Sequence, residues 1–127
     1  MSIANGGTAR VLLAEDDAII ALDVEAILRD AGYTVLGPCS SVAESLLLMA
    51  QGLPDVALID VGLADGPIAE ILANAAVPFA LSSGKDDNDQ DPAYCAGAIR
   101  LTKPYGGREI EAVLARLLDG HHATERR

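Results

Sequence analysis

Three acidic residues in a row, Glu15-Asp16-Asp17, follow directly on the apolar run Val11-Leu12-Leu13-Ala14. Asp60 follows Val56-Ala57-Leu58-Ile59 in the same way, Ser82-Ser83-Gly84 ends the run from Phe79, and Thr102-Lys103-Pro104 ends the run from Ala98. Clustered carboxylates repel one another, and a divalent cation relieves that repulsion. A ligand set made only of oxygens suits Mg2+, which takes one or two carboxylates together with waters and a phosphoryl oxygen. The same ion screens a carboxylate nucleophile from an incoming phosphoryl group, while a lysine and a hydroxyl hold the remaining oxygens.

Taken singly, each residue has a plainer use. A carboxylate at a strand end is often only a helix N-cap, and Asp17 is read that way. A lone lysine such as Lys103 is usually a solvated side chain, and a lone Ser83 a loop serine. Their joint position at four successive strand ends is what points to a site.

The elements that must position them follow from the hydrophobic pattern. Short apolar runs alternate with longer stretches of helical spacing, and uninterrupted apolar runs suit strands buried on both faces. The first strand is Val11–Ala14. Ile20, Val24, Ile27, Leu28 and Ala31 then share one helix face, opened by Asp17 and closed by Gly32. Tyr33–Leu36 reads as the second strand, ended by Gly37-Pro38. Ser41-Val42-Ala43-Glu44 is a capping box for a helix from Val42 to about Gln51.

Val56–Ile59 is the third strand. Pro67 suits the first position of a helix running to about Asn74. Phe79–Ser82 and Ala98–Leu101 read as the last two strands, and a closing helix spans about Arg108 to Leu118. Repeated strand-then-helix units imply an α/β, flavodoxin-like doubly wound parallel sheet of five strands in the order 2-1-3-4-5. In such a sheet ligands bind at the carboxyl ends of the strands, where the acids, the serines and the lysine fall. Residues 84–92 break the rhythm with four aspartates and no apolar period, so the helix between the last two strands is expected to be short (about Pro92–Ala96) or disordered.

With 127 residues the chain fits one compact domain, expected over residues 9–119, with a flexible N-terminus (1–8) and a disordered tail (120–127) that includes His121 and His122. Half the residues are hydrophobic but only 3% aromatic, so the core must be aliphatic. A net charge of −10 argues against nucleic-acid binding, which needs clustered Lys and Arg, and favours a protein partner. The two cysteines, Cys39 and Cys95, have no metal-ligand spacing and read as reduced thiols of a cytoplasmic protein. No secretory signal and no apolar run of membrane-spanning length is visible, so no membrane association is expected.

The segments VLLAEDD, PDVALIDV, PFALSSG and TKPY resemble the four signature blocks of the response-regulator receiver family of two-component systems, over about residues 9–119. The resemblance implies a single-domain phosphoprotein of a phosphorelay that is not itself an enzyme. Asp60 would be the phosphoacceptor, with Lys103 and a switch hydroxyl beside it. It also implies an Mg2+ site in which Asp16 and Asp60 ligate directly, Glu15 acts mainly through water, and the carbonyl of Gly62 supplies a further ligand. The switch hydroxyl falls five residues after Pro78, at Ser83, with Ser82 the rival assignment. The Lys103-Pro104 bond is expected to be cis.

The partners implied are a histidine kinase or a histidine phosphotransfer protein. AEDDAIIALDVEAILRDAGY with PFALSSG looks like single-domain alphaproteobacterial receivers related to a PFxFATGY subgroup, whose partners are frequently HWE-type kinases. The chain departs from the family at Arg100, where most members carry Tyr or Phe, and at Ser83-Gly84-Lys85, where the subgroup has Thr-Gly-Tyr. Two rivals stand beside this reading. A haloacid-dehalogenase-like phosphatase would want an aspartate two residues after the nucleophile, where this chain has Gly62. A degenerate receiver that binds partners without phosphorylation would have little use for the intact acids and lysine.

Overall fold

The computed structural model describes residues 9–63, 67–84, 99–103 and 105–125. In chain order the elements are β1 (Arg10–Ala14), α1 (Ala18–Asp30), β2 (Thr34–Cys39), α2 (Val42–Ala50), β3 (Val56–Asp60), a 3-10 turn (Val61–Leu63), α3 (Pro67–Asn74), β4 (Phe79–Ser83), β5 (Ile99–Thr102) and α4 (Gly107–Glu125). The strands form one parallel sheet in the order β2-β1-β3-β4-β5, as expected. The two-residue period of the strands sends alternate side chains to opposite faces. Leu12, Ala57, Ile59 and Leu81 join Met49 of α2 and Ile68 and Leu72 of α3 on one face. Val11, Leu13, Leu58 and Ala80 join Val24 and Leu28 of α1 and Ile110 and Leu114 of α4 on the other. Burying each large aliphatic side chain there contributes roughly 1.5–3 kcal/mol, so the two layers hold the strand ends in a fixed frame.

Local chemistry starts the helices where the sequence places them. The Asp17 carboxylate accepts from the N–H groups of Ile19 (3.0 Å) and Ile20 (3.2 Å), capping α1. Gly32, at φ +97°, ends the turn that follows α1. Ser41 caps α2 by accepting from the Glu44 N–H at 3.2 Å. The return half of that capping box falls one residue early, because Glu44 accepts from the N–H (2.6 Å) and hydroxyl (3.0 Å) of Ser40. These bonds, to the backbone first, hold the Glu44 carboxyl below its ordinary pKa.

The structure corrects several expected boundaries. β2 starts at Thr34 and runs through Gly37-Pro38 to Cys39 instead of stopping at Leu36. An edge strand tolerates proline because one side of its backbone needs no partner, and β2 pairs only with β1. The pairing shifts register between Leu12 and Ala14, opposite Gly37-Pro38. Gly37 stands at φ +107°, and a Cβ there would lie 2.7 Å from the Cys39 nitrogen.

β4 reaches Ser83, and β5 reaches Thr102. The closing helix α4 continues past Leu118 to Glu125, into the segment expected to be a disordered tail. Between Leu118 and Glu125 the strongest helix breaker is Gly120, at about 1 kcal/mol relative to alanine, and the stretch contains no proline. The expected helix at 92–96, the N-terminal segment 1–8 and the Lys103-Pro104 bond lie outside the described residues. Among the described residues no helix is long and apolar enough to cross a membrane.

Candidate functional site

Parallel pairing brings the first acids together. Ala14 of β1 pairs with Ile59 of β3, so the residues that follow, Glu15 and Asp60, stand side by side at the carboxyl ends of the two strands. Glu15, Asp16 and Asp60 each present a carboxylate oxygen within 4.8 Å of the others. Glu15 (3% exposed) and Asp60 (8% exposed) are buried, whereas Asp16 is open to solvent.

Lys103 enters from β5, where its backbone N–H donates to the Ser83 carbonyl at 2.8 Å. Its four-carbon stem spans the gap that the intervening strands leave. The Lys103 Nζ stands 3.1 Å from Glu15 Oε1 and 3.5 Å from Asp60 Oδ1. Residues 15 and 16, 60 and 103, from three separate stretches of sequence, are therefore assembled in one pocket.

The electrostatics follow from this crowding. The Asp60 carboxyl is pushed up from its ordinary value to about 6, first by burial, then by its hydrogen bond with Asp16 and the charge of Glu15, against the lowering effect of Lys103. Burial opposes the charge on Lys103. Its bond to Glu15 and the charge of Asp60 outweigh that and hold the amine above its ordinary pKa.

Among the described residues, then, one ammonium faces three carboxylates, and the balance is negative. A hard divalent cation fits that donor set by charge and by ligand type. The residues divide the work unevenly. Glu15 Oε1 is ion-paired with Lys103 at 3.1 Å, and Oε2 accepts from both Lys103 (3.3 Å) and the Asp17 N–H (3.0 Å), so few of its lone pairs remain for a metal. Asp16 is exposed and less encumbered. Gly62 lies in the 3-10 turn just after Asp60, where a Cβ would stand 3.8 Å from Asp60 Oδ2.

The two candidate hydroxyls are both buried but differ in their partners. Ser82, opposite Asp60 in the β3–β4 register, shares a hydrogen bond of 3.1 Å with the Tyr105 hydroxyl. The Ser83 hydroxyl makes no hydrogen bond among the described residues, although its carbonyl accepts from Lys103. Sequence reasoning missed Tyr105, whose ring packs against the α1–α4 side of the core. With Lys103, Ile20, Asp23 and Val24 it lines a cavity of about 290 Å³. Burial raises the pKa of its phenol, the bond to Ser82 opposes this, and the charge of Glu15 adds to the rise. The signal available was its place two residues after Lys103. Arg100 lies part-buried on β5.

No family model matches the chain. The KDP operon transcriptional regulatory protein KdpE of Escherichia coli (strain K12) is 33% identical over 120 residues, which are 90% of this chain and 53% of KdpE. The transcriptional regulatory protein PdtaR of Mycobacterium tuberculosis is 32% identical over 102 residues, 76% of this chain and 50% of PdtaR. The chain thus spans about half the length of the curated relatives it matches. Among solved structures, the solution structure of SdrG from Sphingomonas melonis Fr1 superposes with a TM-score of 0.76 at 30% identity, covering 93% of this chain and 99% of SdrG.

Proposed function

This chain is a member of the response-regulator receiver family, and from that premise we propose that it accepts a phosphoryl group on Asp60. The observation that carries this reading is the position of Asp60 at the end of the central strand, within 4.8 Å of two further carboxylates and 3.5 Å from an ammonium. The proposed donor is a phosphohistidine, on a histidine kinase (HWE-type kinases being the first to screen) or on a histidine phosphotransfer protein. The signal then passes by protein–protein contact or onward phosphorelay, in a cytoplasmic setting and without turnover of a substrate.

An Asp60 oxygen attacks phosphorus as the bond from phosphorus to the donor nitrogen breaks, and the electron pair leaves with the imidazole. Mg2+, held by Asp16 and Asp60 with the Gly62 carbonyl, would supply charge neutralisation between nucleophile and phosphoryl oxygens. Lys103 moves from its pairing with Glu15 and Asp60 to a phosphoryl oxygen. The Ser83 hydroxyl, buried and with no hydrogen-bond partner among the described residues, donates to another.

Acetyl phosphate tests the assignment. The chain gains one phosphoryl mass in Mg2+, and Asp60→Asn gains none. Undiminished phosphate on Asp60→Asn overturns it.

A further inference from the structure

The Lys103 amine is useful only if the turn that carries it is held still. Its backbone is fixed on one side, where the Lys103 N–H meets the Ser83 carbonyl. On the other side Pro104 and Tyr105 lead into Gly106, which offers little stiffness of its own before α4 begins at Gly107. Tyr105, just before that glycine, has its ring on the core and its hydroxyl on Ser82. The next residue, Gly106, donates its N–H to Glu109 in the first turn of α4 at 2.5 Å. Lys103 therefore stands between two adjacent anchors on β4, Ser83 through its own backbone and Ser82 through Tyr105. Ser82 is also the residue paired with Asp60.

We propose that Tyr105 is a positioning residue for Lys103, its hydroxyl using Ser82 as a fixed post so that the lysine is presented to Glu15 and Asp60. The inference rests on the reading of Asp60 as phosphoacceptor only for its effect on phosphorylation. The positioning itself is measurable without it. The bond joins two neutral hydroxyls in a site where Ser82 is 3% exposed, so its loss leaves a buried group unpaired. A net hydrogen bond of ordinary strength corresponds to a roughly three- to tenfold change.

The test uses the full chain with Tyr105→Phe, Ser82→Ala and the double variant. Tyr105→Phe keeps the ring and hence its packing. Two readouts are taken on protein shown by circular dichroism to be folded. The first is the rate of labelling by acetyl phosphate in Mg2+, expected to fall about three- to tenfold in each single variant and no further in the double. Ser82→Thr, which retains a hydroxyl, restores the rate.

The second is the rate at which an amine-acylating reagent modifies Lys103, with Lys85, the chain's other lysine, as internal reference. It is expected to rise by a similar factor in Tyr105→Phe. A modest loss of stability alone would leave the ratio of Lys103 to Lys85 acylation in place. Unchanged Lys103 acylation in Tyr105→Phe overturns the proposal, as does a double variant whose labelling defect is the product of the singles. A wild-type chain that takes no phosphate overturns the phosphoacceptor reading instead, and the acylation ratio still decides the role of Tyr105.

Discussion

Lys103 is bound more closely to Glu15 than to Asp60, at 3.1 Å against 3.5 Å. The lysine is thus parked on the carboxylate that has the fewest lone pairs left for a metal, within reach of the proposed nucleophile. Lys103→Ala therefore removes a competing positive charge and a phosphoryl ligand together. Expected are Mg2+ binding that is unchanged or tighter and acetyl phosphate labelling slowed by about 100-fold or more. A Mg2+ titration and a labelling time course check both halves, and weaker Mg2+ binding with normal labelling contradicts the role.

Asp16 is the exposed member of the carboxylate group, so its removal leaves the buried pair intact. Asp16→Ala is expected to lower Mg2+ affinity at least about tenfold. The measurement is the Mg2+ dependence of the thermal midpoint, and an unshifted dependence rules out direct ligation by this residue.

The raised pKa of Asp60 makes a pH prediction for the metal-free protein. Folded, the carboxyl holds its proton up to about pH 6, whereas unfolded it releases it near 3.8. Between these values the folded chain binds more protons, so stability falls as pH rises and the full penalty is present above about pH 6. Asp60→Asn removes it, and is expected to raise the metal-free midpoint by roughly 5–10 °C at pH 7.5 and by little at pH 4. A gain that is the same at both pH values would mean that the crowded carboxyl is not its source.

The N-cap of α1 is separable from the pocket beside it. Asp17→Ala deletes the bonds to Ile19 and Ile20 and is expected to cost about 1 kcal/mol in urea unfolding, with Mg2+ affinity unchanged. A marked loss of affinity would make Asp17 part of the metal site.

Gly37→Ala places a methyl 2.7 Å from the Cys39 nitrogen and 2.8 Å from the Leu13 carbonyl oxygen, at φ +107°. The combined strain and clash are expected to cost about 2–4 kcal/mol. An unchanged denaturation midpoint would show that the edge strand gives way cheaply.

The strand ends were legible because inner strands of a parallel sheet announce themselves as apolar runs, and chemistry in such sheets falls just beyond them. Glu15, Asp16 and Asp60 follow from that rule, Lys103 from its place beyond the last apolar run together with them, and the bounds of α3 from Pro67 and Asn74. What could not be read depends on tertiary surroundings. Whether Gly37-Pro38 ends a strand is decided by whether its outer side needs a partner. Glu44 bonds to Ser40 in place of Ser41 by a small difference in approach that spacing does not encode. The bond between Ser82 and Tyr105 joins residues 23 apart in sequence, and nothing local to either announces the other.

The strand order has a consequence for synthesis and assembly. Because β3 lies between β1 and β4, and β5 comes last at the edge, the pocket draws on both ends of the chain, with Lys103 and Glu15 separated by 88 residues. No early fragment contains the lysine, and every strand adjacency needs a crossover before it can form. A nascent chain therefore emerges with its carboxylates uncompensated until β5 has docked, and a ligand that prefers the completed pocket draws the last strand into place.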